Sequence, residues 1–182
     1  MLKIFFLILF TSVISIPSFG FELSSPDIKD GARLTDQQVF NGFGCFGKNI
    51  SPLLQWKNPP IGTKSFAVTV YDPDAPTGSG WWHWTVFNIP SSVTQLEQGS
   101  GSNSKKLPLN AIEGRTDFGK PGFGGACPPV GDKPHRYIFT LYALKIEKLD
   151  LTSEASGALV GFYLGQNTIA KSTLTAKFGR EK

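Results

Sequence analysis

Two histidines are the whole imidazole supply of this 182-residue chain. His83 lies in Gly80-Trp-Trp-His-Trp84 and His135 in Gly131-Asp-Lys-Pro-His-Arg-Tyr137. A third segment, Asp72-Pro-Asp-Ala-Pro76, places two carboxylates about ten residues before His83. Imidazoles near their ordinary pKa of about 6.5 offer N–H donors to an anion, and protonation strengthens them. Asp72 could accept from one ring nitrogen and so fix the tautomer of the other. Gly124 and Gly125 would let backbone N–H groups approach a ligand oxygen. Trp81, Trp82 or Trp84 would wall such a site with apolar surface. The chemistry this suits is recognition of a small anion, a phosphate or carboxylate. Catalysis is poorly served, because no serine or cysteine nucleophile stands beside the histidines once Cys127 is bonded. No enzymatic activity and no cofactor are expected.

Each of these residues has a plainer reading. A histidine among tryptophans is often a packed core residue. Asp72-Pro73-Asp74 is also a good turn, since aspartate caps turns and proline fixes φ. Arg136, one position from His135 in a strand, points to the opposite face and reads as a structural ion-pair partner. Tyr137, two positions on, shares the face of His135 and is the better cavity residue. Two histidines with Asp72 or Asp74 equal the ligand count of a zinc or iron site. The spacing is undiagnostic, however, and no HExxH-type helix is present, so no metal is expected.

The elements that must position these residues can be read in outline. Phe66–Tyr71 is a dense apolar, β-branched run bounded by Pro59-Pro60 and Asp72-Pro73, which is the pattern of a buried strand. Trp81–Ile89 is a second strand and Arg136–Lys145 a third, with shorter ones at Leu53–Trp56 and Leu174–Phe178. Thr152–Ala170 lacks proline and predicts a helix capped by Thr152 or Ser153. Ala155, Leu159, Phe162 and Ile169 are its apolar positions, and Gly157, Gly161 and Gly165 weaken it. The body is therefore mainly β and sandwich-like, with long glycine- and proline-rich loops and one helix near the C-terminus.

Composition bounds the rest. Hydrophobic residues make up 40% and charged residues 18%, so the chain is not of a disordered type. A net charge of +4, scattered along the sequence, gives no nucleic-acid footprint. Met1–Gly20 has Lys3, an apolar stretch from Ile4 to Ile16, Pro17, and small residues Ser18 and Gly20. That is the three-part pattern of a cleavable signal peptide over residues 1–20, leaving one domain at 21–182 in the periplasm or outside the cell. An uncleaved N-terminal anchor is the alternative. In that oxidising compartment, Cys45 and Cys127 read as a disulfide, with two buried free thiols as the other possibility.

Together, the motifs resemble the phosphatidylethanolamine-binding protein family, also called Raf kinase inhibitor-like proteins. The resemblance is carried by Asp72–Pro76, Gly80–Trp84, Gly124-Gly-Ala-Cys-Pro-Pro129 and His135-Arg-Tyr137, with support from Asn49-Ile-Ser-Pro52, Gly62–Phe66 and Thr116–Gly119. It spans about Phe21 to Phe178 and is similar to the bacterial periplasmic branch. The resemblance implies a sandwich of antiparallel strands with an anion pocket at one end. Asp72, His83 and His135 would be pocket residues, and Pro76, Trp81, Pro129 and Tyr137 its walls. Implied ligands are phosphate-bearing head groups and similar small anions. Some members inhibit kinases or proteases through the surface around the pocket, which is the alternative function here. The chain departs from the family at Ala126, at Phe123, and at Gln166-Asn167, where a glycine-histidine pair is common.

Overall fold

The computed structural model describes residues 20–182, Asn103 excepted. The expected signal segment, but for Gly20, lies outside the described residues. The elements are β1 (Glu22–Ser24), β2 (Asn41–Gly42), β3 (Cys45–Phe46), β4 (Leu54–Lys57), β5 (Ser65–Asp72), β6 (Trp81–Pro90), β7 (Gln95–Leu96), β8 (Ile112–Glu113), β9 (His135–Leu144), α1 (Gly157–Asn167) and β10 (Thr168–Phe178). β5, β6 and β9 match the three long runs expected. All strand pairs among these elements are antiparallel.

A five-stranded sheet in the order β10-β9-β5-β6-β8 faces a three-stranded sheet in the order β1-β4-β7. Leu23, Leu54, Trp56 and Leu96 of the small sheet pack with Phe66, Val68, Val70, Trp84 and Val86 of the large one. The other face of the large sheet is covered by α1, where Ala67, Phe87 and Leu144 meet Val160 and Leu164. β5 is thus buried on both faces, which is why its sequence is continuously apolar rather than alternating.

The helix corrects the expectation over Thr152–Ala170 at both ends. Thr152 caps a turn instead, its carbonyl accepting from the Ala155 N–H. Ser156 is the N-cap, its Oγ accepting from the Leu159 N–H. Thr168 ends the helix by donating its hydroxyl to the Leu164 carbonyl at 2.7 Å, and the chain leaves in extended conformation as β10. The apolar face is corrected too. Leu159, Phe162 and Ile169 are exposed. Gly157, Val160, Gly161 and Leu164 form the i, i+3, i+4, i+7 stripe that meets the sheet, and a Cβ at Gly157 would overlap the Trp82 ring. The glycines that weaken the helix in isolation let it seat on a tryptophan.

Candidate functional site

The pairing of β5 with β6 contains a bulge where the site begins. Val70 faces Trp84 and Tyr71 faces Trp82, so His83 is the extra residue. A bulge re-aims its side chain. Trp84 packs into the core between the sheets, and Trp82 turns to the helix side against Tyr71 at 4.6 Å between centroids. Strict alternation from Trp84 would send His83 to the helix side as well. Instead, its ring meets Tyr137 edge-on at 5.0 Å, on the core side.

Gly124 holds His83 from two directions. The Gly124 N–H donates to the His83 carbonyl at 2.9 Å, and the Gly124 carbonyl lies 2.7 Å from His83 Nδ1. A carbonyl only accepts, so Nδ1 carries the proton, and in the neutral ring Nε2 is a bare acceptor. Burial pushes the His83 pKa below its ordinary value, an effect only partly opposed by the Gly124 carbonyl and the charge of Asp72. The loop is fixed by Asn49. Its side-chain amide donates to the Phe123 carbonyl at 3.0 Å and its Oδ1 accepts from the Gly125 N–H at 2.7 Å.

The expectation that Gly124 and Gly125 offer N–H groups to a ligand is therefore wrong, because both donors are committed within the protein. These positions are glycine for lack of room. A Cβ on Gly124 would overlap the Phe118 ring, and one on Gly125 the backbone at Gln38.

Asp72 ends β5 and His135 begins β9. His135 Nδ1 lies 2.8 Å from Asp72 Oδ2, and both side chains are buried. Asp72 Oδ1 accepts from the Asp74 N–H at 2.8 Å, so Asp72 serves a turn and a histidine at once. His135 Nε2 is 3.5 Å from Asp132 Oδ2. On the opposite face, Arg136 grips Asp74 through Nε at 2.9 Å and Nη2 at 2.7 Å. That fork draws the Asp74 carboxyl down to about 2. Arg136 is the structural ion-pair partner that its strand position implies.

All seven expected residues, Asp72, Pro76, Trp81, His83, Pro129, His135 and Tyr137, line one cavity of about 220 Å³. Cys127 lines it as well and is bonded to Cys45, with Cα atoms 5.9 Å apart. Two aromatic wall residues were not singled out from sequence, Phe43 and Phe118. Phe118 meets the rings of His83 and Trp81 edge-on, at 5.4 Å each. Its only sequence signal is its place in the Thr116–Gly119 motif. Two donors in the wall, the Tyr137 hydroxyl and the Trp81 indole N–H, are buried without a hydrogen-bond partner. Burial also raises the Tyr137 pKa far above that of an ordinary tyrosine, so the hydroxyl keeps its proton. Among the described residues, no group of three or more His, Cys, Asp or Glu side chains is placed to hold a metal ion. A broader groove of about 730 Å³, by Lys64, Ser91 and Glu147, lies away from both histidines. Its one buried polar side chain, Asn88, is bonded to the Leu149 backbone through both its amide nitrogen and its oxygen.

The profile of the phosphatidylethanolamine-binding proteins matches residues 24–179. The chain belongs to that family. Within the phosphatidylethanolamine-binding proteins it is similar to the UPF0098 protein YbcL of Escherichia coli, with 58% identity over 162 residues and 88% of each chain covered. It also resembles YbhB of the same organism, at 53% identity over 157 residues, covering 86% of this chain and 99% of that one. The crystal structure of E. coli YbcL, described as a new member of the mammalian family, superposes with a TM-score of 0.86, covering 87% of this chain and 98% of that one. A family homologue from Chlamydia trachomatis, 27% identical, gives 0.72 over 88% of this chain and 97% of that one. The antiparallel sandwich is thus the family's fold.

Proposed function

We propose that the cavity binds a small phosphate-bearing anion, such as a phospholipid head group, without turning it over. The observation that carries this reading is the pair of buried, unpartnered donors, Tyr137 O–H and Trp81 Nε1–H, in the same wall as His83 and His135. Leaving such groups unsatisfied is costly, on the order of 1–3 kcal/mol each, and an oxyanion drawing close as the wall adjusts around it would relieve that cost. His83 adds to this. Its Nε2 either takes up a proton to donate to a dianion or accepts the proton of a monoanion. Asp72 accepts through both oxygens, from the His135 ring and the Asp74 N–H, and so orients His135. A non-catalytic role fits the partners of the two imidazoles. Those partners are a backbone carbonyl and two carboxylates, with no hydroxyl or thiol among them.

The site of action we propose is the periplasm or the cell exterior. The pattern of residues 1–20 supports this, as does the Cys45–Cys127 bridge, which suits an oxidising compartment.

Titration with O-phosphoethanolamine, followed by the ring NMR signals of His83 and His135, tests the reading. Both sets of signals should move with a common affinity. Signals that stay fixed at millimolar ligand would overturn it.

A further inference from the structure

Asn49 and His83 hold opposite ends of the same two peptide units. In a trans peptide the C=O and the N–H point opposite ways, so each unit can bond one partner on either side. In the unit between Phe123 and Gly124, the carbonyl accepts from Asn49 Nδ2 at 3.0 Å and the N–H donates to the His83 carbonyl at 2.9 Å. In the unit between Gly124 and Gly125, the N–H donates to Asn49 Oδ1 at 2.7 Å and the carbonyl accepts from His83 Nδ1 at 2.7 Å. This second unit sets the state of the ring. Glycine on both sides leaves its plane free to turn over, since no Cβ resists. Turned over, it would show His83 an N–H in place of the carbonyl. Nδ1 would then accept, and the proton of the neutral ring would go to Nε2.

Asn49 is itself built into place. Its φ of 53° is left-handed, a conformation that asparagine tolerates better than most residues with a side chain. Its N–H donates to the Val39 carbonyl at 2.8 Å, and its carbonyl accepts from the Ser102 hydroxyl at 2.6 Å. Two other segments thus aim the side chain at the loop. Around the ring itself, Asp72 of β5 and Asp117 are the carboxylates whose charge reaches it, and Tyr137 of β9 touches it. Both carboxylates are bonded elsewhere. Asp72 accepts from His135 and from the Asp74 N–H, and Asp117 Oδ2 accepts from the Trp82 N–H at 2.7 Å. The choice of tautomer at His83 therefore falls to the Gly124–Gly125 peptide.

We propose that Asn49 is a positioning residue that fixes the His83 proton on Nδ1 and so makes anion capture proton-linked. With Nε2 bare, this ring holds a phosphate dianion only once a proton arrives. With the proton on Nε2, a neutral ring would donate to the dianion at once. The inference rests on the head-group reading for the linkage, and on the peptide geometry alone for the tautomer.

Long-range nitrogen–proton correlation spectra of the ligand-free protein test the tautomer, and calorimetry with O-phosphoethanolamine tests the linkage. N49G keeps the left-handed backbone and removes both side-chain bonds. Its His83 should show a protonated Nε2 where the wild type shows a protonated Nδ1. Proton uptake on binding at pH 8 should drop from close to one toward none. The affinity gained between pH 8 and pH 6 should shrink by roughly tenfold or more. N49D keeps an oxygen for the Gly125 N–H and should retain the wild-type tautomer. A residue that merely supports the fold would leave the tautomer unmoved in both variants. The assignment is overturned if N49G keeps its proton on Nδ1, or if N49D loses it. Uptake that stays close to one proton in N49G overturns the linkage. Where N49G does not fold, hydrogen exchange at the Gly125 amide decides. Slow exchange in the wild type and in N49D supports the clamp, and free exchange in either overturns it. A wild type that shows the Nδ1 tautomer but binds no O-phosphoethanolamine overturns the head-group reading and leaves the positioning role in place.

Discussion

Asp72 Oδ2 accepts from His135 Nδ1 at 2.8 Å while Asp72 Oδ1 accepts from the Asp74 N–H, so one buried carboxylate fixes both a turn and an imidazole tautomer. With its proton on Nδ1, the neutral His135 ring carries none on Nε2, which lies 3.5 Å from Asp132 Oδ2. Asp72→Asn is the sharpest probe of this arrangement. The asparagine oxygen stays with the Asp74 N–H and its NH2 group then faces His135. The imidazole proton should move from Nδ1 to Nε2, which long-range nitrogen–proton correlation spectra would report. An unchanged tautomer would mean that Asp72 does not set the ring's state.

Proton linkage at His83 gives a second prediction. Burial keeps this ring neutral in the free protein, with Nδ1–H on the Gly124 carbonyl and Nε2 bare. A phosphate monoester, whose second pKa is about 6, is mostly a dianion above neutrality. The complex needs one proton between Nε2 and the ligand. Affinity for O-phosphoethanolamine should therefore rise as pH falls from about 8 toward 6, by up to tenfold per unit. Calorimetry in buffers of different ionisation enthalpy should show uptake of close to one proton at pH 8. Uptake of none would remove His83 from the contact.

The long strands and the shared face of His135 and Tyr137 were legible in the sequence because period 2 holds through β9. The position of His83 was not. Nothing in Trp81-Trp-His-Trp84 marks which residue is extra, and strict alternation would have sent His83 away from Asp72. Phe43 and Phe118 were missed for a different reason. They sit in glycine-rich turns, where no period says which side a ring takes. Gly124 and Gly125 were recognised as places of close approach, but the sequence could not say that the approaching groups are Phe118 and the Gln38 backbone rather than a ligand.

The glycines of α1 make the third prediction. Gly157→Ala pushes a methyl group into the Trp82 ring and should destabilise the protein by about 1–3 kcal/mol. Gly165→Ala meets nothing within 4 Å and should stabilise it by up to about 1 kcal/mol through helix propensity alone. Urea denaturation of the two variants would show opposite signs. Two losses of equal size would mean that α1 does not seat on Trp82.

Removing the Cys45–Cys127 bridge frees a loop with a sequence separation of 82. Chain entropy sets the loss near 4 kcal/mol for the double alanine variant, measured by urea denaturation. The hairpin carrying Phe43 loses a covalent anchor at the same time. Affinity for O-phosphoethanolamine should thus fall even where the variant is fully folded. A variant as stable and as tight-binding as the wild type would show the bridge to be dispensable to the cavity wall.

Glu113 supplies a pH test of stability away from the cavity. Its carboxyl is partly buried beside Trp84, and burial pushes its pKa up to about 7, against the opposing pull of the Trp84 indole N–H donating at 2.6 Å. The folded state therefore holds the proton more tightly than the unfolded chain. The stability this brings is fully present below about 4.5 and is lost as pH rises through about 7. His83 acts in the opposite sense. Its lowered pKa gives stability that is present above about 6.5 and lost as pH falls through its folded value. The wild-type curve mixes the two, so the difference between wild type and Glu113→Gln is what isolates the carboxyl. Glutamine keeps an oxygen for Trp84 and cannot ionise. The variant should gain on the wild type between pH 5 and about pH 7 and level off above it, with thermal unfolding as the readout. A difference that does not change with pH would mean that Glu113 is ionised throughout and its indole contact outweighs its burial.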